Sequence, residues 1–216
     1  MKEALAKIRK PKVIASKSKS VCNSVLIFVL GIALGIIAKF LDNLALDSTI
    51  WWHNLVEALN LGVVMSEFAI WLLMALIISV FSYTPLKAAV NTFLFFAGMC
   101  VAYHVYTIVF SGFDPTGYMM IWYAITIVSP VLAVICWYGK GKGVVSIIID
   151  CLILAVMAAC CFSAGWFYFY PNGLLNALMF AASVVVVYSS PKQIGIAVVA
   201  GIVLSMIIRP YLPIGE

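Results

Sequence analysis

The chain has 216 residues, of which 65% are hydrophobic and only 10% are charged, and its mean hydropathy is +1.15. A water-soluble globular domain is excluded, because such domains carry about 25% charged residues and this chain has too few polar groups to cover a surface. Lysine and arginine outnumber aspartate and glutamate by 13 to 8, but the excess is concentrated near the amino terminus and does not predict nucleic-acid binding.

Residues 1–20 form a polar arm that contains seven of the 13 basic residues. We predict that this arm is a short frayed or interfacial segment on the cytoplasmic side of a membrane. Its positive charge fixes the orientation of the chain and contacts anionic lipid. Residues 21–216 are predicted to form a single transmembrane domain.

Seven apolar runs predict an all-α, polytopic transmembrane bundle of one lone helix followed by three hairpins. A bilayer core is spanned by about 20 apolar residues, and the longer runs reach that length. A short amphipathic interfacial helix is predicted near residues 44–59, where Trp51 and Trp52 suit the membrane–water boundary. The predicted spans are residues 22–40, 61–81, 88–110, 118–138, 144–166, 174–188 and 193–208.

Lysines recur in alternate predicted loops and therefore predict the orientation of the chain. The positive-inside rule places these loops and the amino terminus in the cytoplasm, so seven spans leave the carboxyl terminus outside a cell (plasma) membrane. The loop lysines are Lys87, Lys140, Lys142 and Lys192.

Several polar residues are predicted to lie at the same depth in the bundle, as judged by counting residues from the cytoplasmic turns. Glu67 lies 19 residues before Leu86, in the first cytoplasmic turn, and His104 lies 18 residues after it. At about 1.5 Å per helical residue, both are roughly 27–28 Å from that turn. We predict a cup that is open to the outside and binds a small polar solute. Its candidate ligand-binding residues are Glu67, His104, Tyr123, Trp122, Asn176 and Arg209. The alternative is that Arg209 and Lys39 extend to the interface and Glu67 reaches water.

Asp150 is an intramembrane carboxyl nine residues after Gly141, or about 14 Å from that turn. The sequence places no lysine or arginine at this depth. Intramembrane ionisable groups usually face the bundle interior and have partners. A structural hydrogen-bonding role, a proton relay and cation coordination all remain open.

Gly31 and Gly35 are spaced so that another helix can approach the first span closely. That helix belongs either to the same chain or to a membrane partner subunit. The sequence lacks the motifs of zinc proteases, serine hydrolases and phosphate-binding loops, so no enzyme is predicted. With His53 and His104 as the two histidines, no metal site is predicted, and no cofactor either.

Certain segments resemble small bacterial multipass proteins of unassigned function. They are Gly31-x-x-x-Gly35-x-x-x-Lys39-x-x-Asp42-Asn43, Trp71, Pro85-Leu86-Lys87-Ala88 and Tyr103-His104-Val105-Tyr106. The chain length and the predicted cup are also similar to the substrate-capture subunits of energy-coupling-factor importers. That resemblance implies solute capture and a transmembrane partner at Gly31 and Gly35, although those subunits have about six helices.

Two functions are therefore expected from the sequence. The first is binding or transport of a small polar solute through the cup. The alternative is a non-transporting accessory or immunity-type membrane protein that acts through helix–helix contacts. Convergence of the polar side chains would favour the first, and separate water-facing positions would favour the second.

Overall fold

A computed structural model describes residues 6–12, 16–164 and 168–209. These residues are mostly helical, and the predicted all-α class is confirmed. A π-helical turn, Thr107–Ser111, extends the fifth helix, and two short strands, β1 (Phe162–Ala164) and β2 (Phe169–Pro171), follow the seventh. The helices are α1 (Lys17–Asp42), α2 (Trp51–Ala58), α3 (Leu61–Ser66), α4 (Phe68–Phe81), α5 (Pro85–Tyr106), α6 (Thr116–Gly139), α7 (Val144–Cys161), α8 (Leu174–Val187) and α9 (Pro191–Ile208).

Within the described ranges, five helices are long and apolar enough to cross a membrane. They are α1, α5 with its π-helical extension, α6, α7 and α9. Helices α4 and α8 are also apolar, but each has 14 residues and is therefore only about 21 Å long. A multi-pass membrane protein accounts for this set of helices, whereas the number of crossings remains a prediction.

The chain divides into two compact units. Unit 1 consists of Met1–Pro11, Glu67–Phe81 and Ile135–Glu216, and unit 2 consists of Lys12–Ser66 and Ser82–Val134. Unit 1 contains α4, α7, α8 and α9, and unit 2 contains α1, α2, α3 and α5. Helix α6 passes from unit 2 to unit 1.

Unit 2 is built on close contact between α1 and α5. A Cβ added at Gly35 would lie 2.5 Å from the carbonyl oxygen of Met99, and one added at Gly98 would lie 2.6 Å from that of Phe28. A Cβ at Gly31 would also collide with a main-chain carbonyl of α5. Gly31 and Gly35 therefore face a helix of the same chain, which was the first of the two predicted possibilities for the helix that approaches them.

Unit 1 is built on contact between α7 and α9, and α8 packs against both α4 and α7. Gly201 of α9 faces α7, where an added Cβ would lie 3.0 Å from the Cβ of Leu154. Helix α9 begins at Pro191, and the Ser190 hydroxyl accepts a hydrogen bond from the Gln193 N–H at 3.3 Å. Proline at the first position and a serine cap are both favourable at a helix start.

Two predicted spans end or break earlier than the sequence indicated. The prediction of one helix over residues 61–81 is wrong, since the chain bends at Glu67 between α3 and α4. The prediction of a helix to residue 166 is also wrong, because α7 ends at Cys161. Beyond it β1 pairs with β2 in an antiparallel ribbon, where the rings of Phe162 and Phe169 stack at 4.7 Å. Aromatic residues favour strands, and residues 165–166 lie outside the described chain.

The predicted amphipathic helix near residues 44–59 is present but shorter, as α2. Its first turn is preceded by a polar loop in which Asp47 accepts hydrogen bonds from the Thr49 N–H and hydroxyl, at 2.9 and 2.7 Å. These bonds satisfy polar groups of Asp47 and Thr49 within the loop, so the helix starts later than predicted. Parts of the predicted amino-terminal arm, residues 1–5 and 13–15, and the predicted external carboxyl terminus lie outside the described residues.

Candidate functional site

Glu67 lies in unit 1 at the bend that precedes α4, and its carboxylate is paired with an amide of α8. The Nδ2 of Asn176 donates to the Oε2 of Glu67 at 2.9 Å. Asn176 is 3% exposed, whereas Glu67 is half-buried and remains partly open to solvent. The structure thus brings together two of the six predicted cup residues.

The helix starts explain why a carboxylate is stable at this position. Asn176 is the third residue of α8, and Glu67 immediately precedes α4. Their hydrogen bond therefore joins the amino-terminal ends of two packed helices. The partial positive charge at each helix start stabilises an anion.

Arg209, a third predicted cup residue, holds the ribbon that follows α7. Its guanidinium donates to the carbonyl oxygen of Phe162 and to the Oγ of Ser163, the latter at 3.1 Å. Ser163 in turn donates to Asn172, in the turn after β2, at 2.8 Å. Arg209 therefore does not simply extend to the interface, which was the alternative for this residue.

Glu67 and Arg209 belong to one charged neighbourhood. Both side chains lie within electrostatic range of Cys160, which is 4% exposed. Glu67, Asn176, Cys160, Ser163 and Arg209 are hereafter called the Glu67 cluster. The cluster offers an acidic and a basic group, each still partly solvent-accessible, within one unit.

The other predicted cup residues lie in unit 2. His104 Nδ1 forms a hydrogen bond with the Tyr123 hydroxyl, and His104 Nε2 lies 3.2 Å from Asp114 Oδ1. Hydrogen bonds from the Thr116 hydroxyl and N–H hold the pKa of Asp114 below its ordinary value. Trp122, the neighbour of Tyr123, is buried at 5% exposure.

Unit 2 also contains a buried charged side chain, that of Lys39. Lys39 is 4% exposed, pairs with Asp42 at 2.5 Å, and lies 5.4 Å from the ring centroids of Tyr103 and Phe113. A lysine so placed is stabilised by its counter-ion and by the aromatic faces. It is not extended into solvent, which the sequence left open as an alternative.

Asp150 is fully buried in unit 1 and has a partner that the sequence did not indicate. The Nε2 of Gln193, in the first turn of α9, donates to Asp150 Oδ2 at 2.8 Å and to Ser146 Oγ at 2.9 Å. Asp150 Oδ1 has no hydrogen-bond partner among the described residues, and a Cβ added at Gly139 would come within 2.8 Å of it. Gln193 was not predicted as a partner of Asp150, because counting residues from each turn assumes that all helices start at the same height in the membrane.

Two signals in the sequence could have located part of this network. Ser146 and Asp150 are spaced i, i+4 and therefore share one face of α7. Gln193 is the only amide side chain in α9. No comparable signal distinguishes Arg9 from the other basic residues of the arm, although its guanidinium binds two buried carbonyls. No group of three metal-ligating side chains lies together within the described ranges.

Comparison of the chain with protein-family models, with curated proteins and with solved structures finds no match. What the protein does is therefore inferred from its own side chains.

Proposed function

We propose that the protein binds a small zwitterionic solute at the Glu67 cluster and carries it across the cell membrane. The Glu67 carboxylate receives the cationic group of the solute, and Arg209 receives the anionic group. Asn176 holds Glu67 in place through its buried amide.

The observation that carries this proposal is a carboxylate at a break between helices. The chain bends at Glu67, and α4 begins directly after it, beside the start of α8. Solute sites of transporters are commonly formed where membrane helices are discontinuous and half-helix ends point at the solute. Ionisable side chains within membrane-spanning segments more often belong to solute pathways than to helix packing.

The lengths of α4 and α8 support access from one side. Each is about 21 Å long, compared with a bilayer core of about 30 Å. If their carboxyl-terminal ends lie at the cytoplasmic interface, their amino-terminal ends lie about 9 Å below the opposite one. The Glu67 cluster is then at the bottom of a depression that is open to the outside.

This arrangement requires seven crossings, with the amino terminus in the cytoplasm and the carboxyl terminus outside. Cysteine-accessibility labelling tests it in a cysteine-free background, with one cysteine at Ser16 and another at Gly215. We expect the two sites to be labelled from opposite sides. Labelling of both from the same side contradicts seven crossings.

The solute is tested by thermal unfolding of the purified protein with the twenty standard amino acids, each a small zwitterion. We expect at least one to raise the Tm of the wild type and to lose this effect with Glu67→Gln. Glutamine still accepts the hydrogen bond from Asn176, so the Tm without ligand should change little. The variant therefore removes the charge and leaves the local structure.

Glu57→Gln is the matched control, because Glu57 is an exposed glutamate of α2 in the other unit. It should leave any ligand-dependent shift in Tm unchanged. The proposal is contradicted if no amino acid shifts the Tm, or if the shift persists in Glu67→Gln.

A further inference from the structure

Unit 1 contains a cavity of about 730 Å³ that is lined by basic side chains. The basic lining residues are Lys7, Arg9, Lys10, Lys140 and Lys142. None of the described lining residues is acidic. The cavity therefore has a strongly positive electrostatic potential, and it shares no residue with the Glu67 cluster.

The amino-terminal segment is fixed as one wall of this cavity. The Arg9 guanidinium donates to the carbonyl oxygens of Trp137 and Val80, at 2.5 and 2.8 Å, and lies 4.2 Å from the centroid of the Trp137 ring. The Lys142 N–H donates to the carbonyl oxygen of Ile8 at 3.0 Å. Burial lowers the pKa of Arg9, and the two hydrogen bonds compensate the guanidinium for lost water.

Arg9 and Lys140 are engaged by the protein, whereas the other three cations are available. The ammonium of Lys140 donates to a main-chain carbonyl of α8 at 3.0 Å and lies 4.7 Å from an aromatic ring centroid of α4. Lys7, Lys10 and Lys142 have exposed side chains, and none of the three donates a side-chain hydrogen bond to a described residue. Three ammonium groups therefore remain to bind an anion.

The start of α9 completes the opposite wall. Ser189, Ser190 and Gln193 line the cavity there, and α9 has 18 residues, so its amino-terminal end adds partial positive charge. The Ser189 hydroxyl already donates to the carbonyl oxygen of Val187 at 3.3 Å, whereas the Ser190 hydroxyl donates to no described residue and can donate to a ligand. A hydroxyl, ammonium groups and a helix start together are donors that bind phosphate in proteins. The side-chain amide of Gln193 is already bonded to Asp150 and Ser146 and supports this wall from behind.

We infer that this cavity binds a phosphate-bearing group, with Lys7, Lys10 and Lys142 contacting the phosphate oxygens. A volume of about 730 Å³ is large enough for a phosphate together with the small molecule or lipid headgroup that carries it. A phosphate monoester on glycerol has the required chemistry in both a soluble and a lipid form. The site is independent of the proposed solute site, because it depends on different residues.

The test uses the full chain in micelles of dodecyl maltoside, a detergent without phosphate, and measures two probes. Equilibrium dialysis measures binding of radiolabelled glycerol 3-phosphate, the soluble source. Native mass spectrometry measures binding of added phosphatidic acid, the lipid source. Glycerol and diacylglycerol are the corresponding probes without phosphate. We expect saturable binding of one phosphate probe or both, and none of the phosphate-free pair.

Lys7→Gln and Lys142→Gln should each weaken this binding about tenfold, because each removes one charge-assisted hydrogen bond. Neither side chain has a hydrogen bond to a described residue, so both variants should fold. Lys192→Gln is the matched control: Lys192 is an exposed lysine in the first turn of α9 that does not line the cavity. Its loss should change binding by less than about twofold, as expected for a screened surface charge.

Binding of glycerol 3-phosphate identifies a soluble ligand, and binding of phosphatidic acid alone identifies a lipid headgroup. Both results support the inference. It is overturned if neither phosphate probe binds, or if the phosphate-free probes bind equally well. Equal weakening by Lys192→Gln and Lys142→Gln also overturns it, since that result describes attraction to a charged surface and not a site.

Discussion

Helices α1 and α5 in unit 2 and helices α7 and α9 in unit 1 are both packed through glycine, but their polar contents differ. In unit 2, Ser24 donates to Asn91 at 2.7 Å, and Lys87 donates to Ser24 at 3.3 Å. This network includes a cation beside neutral groups. In unit 1, the carboxyl of Asp150 is held by the amide of Gln193 and has no cationic partner among the described residues.

The two helix pairs also differ in how many glycines bring them together. Three glycines bring α1 and α5 into main-chain contact, whereas the described contacts of α7 and α9 show one such glycine, Gly201. Both pairs contain buried polar groups, namely Ser24 and Asn91 in the first and Asp150 and Gln193 in the second. A buried polar group is costly unless it is satisfied, and Asp150 Oδ1 has no hydrogen-bond partner among the described residues.

The largest expected effect is that of a new charge between α7 and α9. Asp150→Lys buries an ammonium that cannot accept the hydrogen bond from Gln193, and an uncompensated buried charge costs about 3–5 kcal/mol, so we expect it to abolish monodisperse protein. Asp150→Asn retains a hydrogen-bond acceptor for Gln193 and should fold normally. Size-exclusion chromatography in detergent measures both. Equal yields of the two variants would show that Asp150 is not enclosed.

The next effect tests the close packing of unit 2. Gly31→Ala and Gly35→Ala place a Cβ against main-chain carbonyls of α5, which cannot move as a side chain can. Overpacking of this kind costs about 1–3 kcal/mol, and the Tm should fall. Gly195→Ala is the control, because a Cβ there meets nothing within 4 Å. An unchanged Tm in Gly31→Ala and Gly35→Ala would contradict the contact between α1 and α5.

A third experiment examines the polar pair of unit 1. Gln193→Leu leaves Asp150 without its recorded donor, which should cost about 1–3 kcal/mol of the free energy of unfolding. Replacing both partners by leucine should restore part of this loss, because no buried polar group is then left unpaired. Chemical unfolding of the two single variants and the double variant measures the coupling. Additive effects would contradict a direct hydrogen bond.

The smallest effect concerns the turn that precedes α6. The pKa of Asp114 lies below its ordinary value of 3.8, chiefly because the Thr116 hydroxyl and N–H donate to it. A lowered pKa stabilises the fold above the unfolded value, and this contribution is lost as the pH falls through the folded pKa. Thr116→Val should therefore raise the pKa of Asp114, measured by carboxyl-carbon NMR.

Asp47 provides the reference for this titration, because Thr49 donates to it in the same way and lowers its pKa. Thr116→Val should leave the pKa of Asp47 unchanged, and Thr49→Val should raise it. A shift of both carboxyls in either variant would indicate a global change and not the loss of one hydrogen bond.

Much of the helical framework follows from the sequence. Apolar runs located α1, α5, α6, α8 and α9 within a few residues, since helix length in a membrane is set by hydrophobicity. The bend at Glu67 was not predicted, because Ser66 and Glu67 are only a short polar interruption of an apolar run that contains no proline. The end of α7 at Cys161 was missed for a similar reason: Phe162 continues the apolar run but pairs with β2.

The candidate site could be predicted only in part. Equal residue counts from a turn placed several polar residues at one height, but a count fixes height and not rotation about the helix axis. The structure joins Glu67 to Asn176 and His104 to Tyr123, whereas equal counts from the turn predicted Glu67 beside His104. Gln193 and Arg9 were missed because their partners are main-chain or side-chain groups distant in the sequence.

The central claim is that the Glu67 carboxylate recognises the cationic group of a zwitterionic solute. The most direct test compares the Kd of the amino acid found by thermal unfolding with that of its analogue lacking the amino group. Wild-type protein should prefer the amino acid by about tenfold or more, the effect of one charge-assisted hydrogen bond. Glu67→Gln should bind the two equally. A Glu67→Gln variant that retains the full wild-type preference would contradict the account.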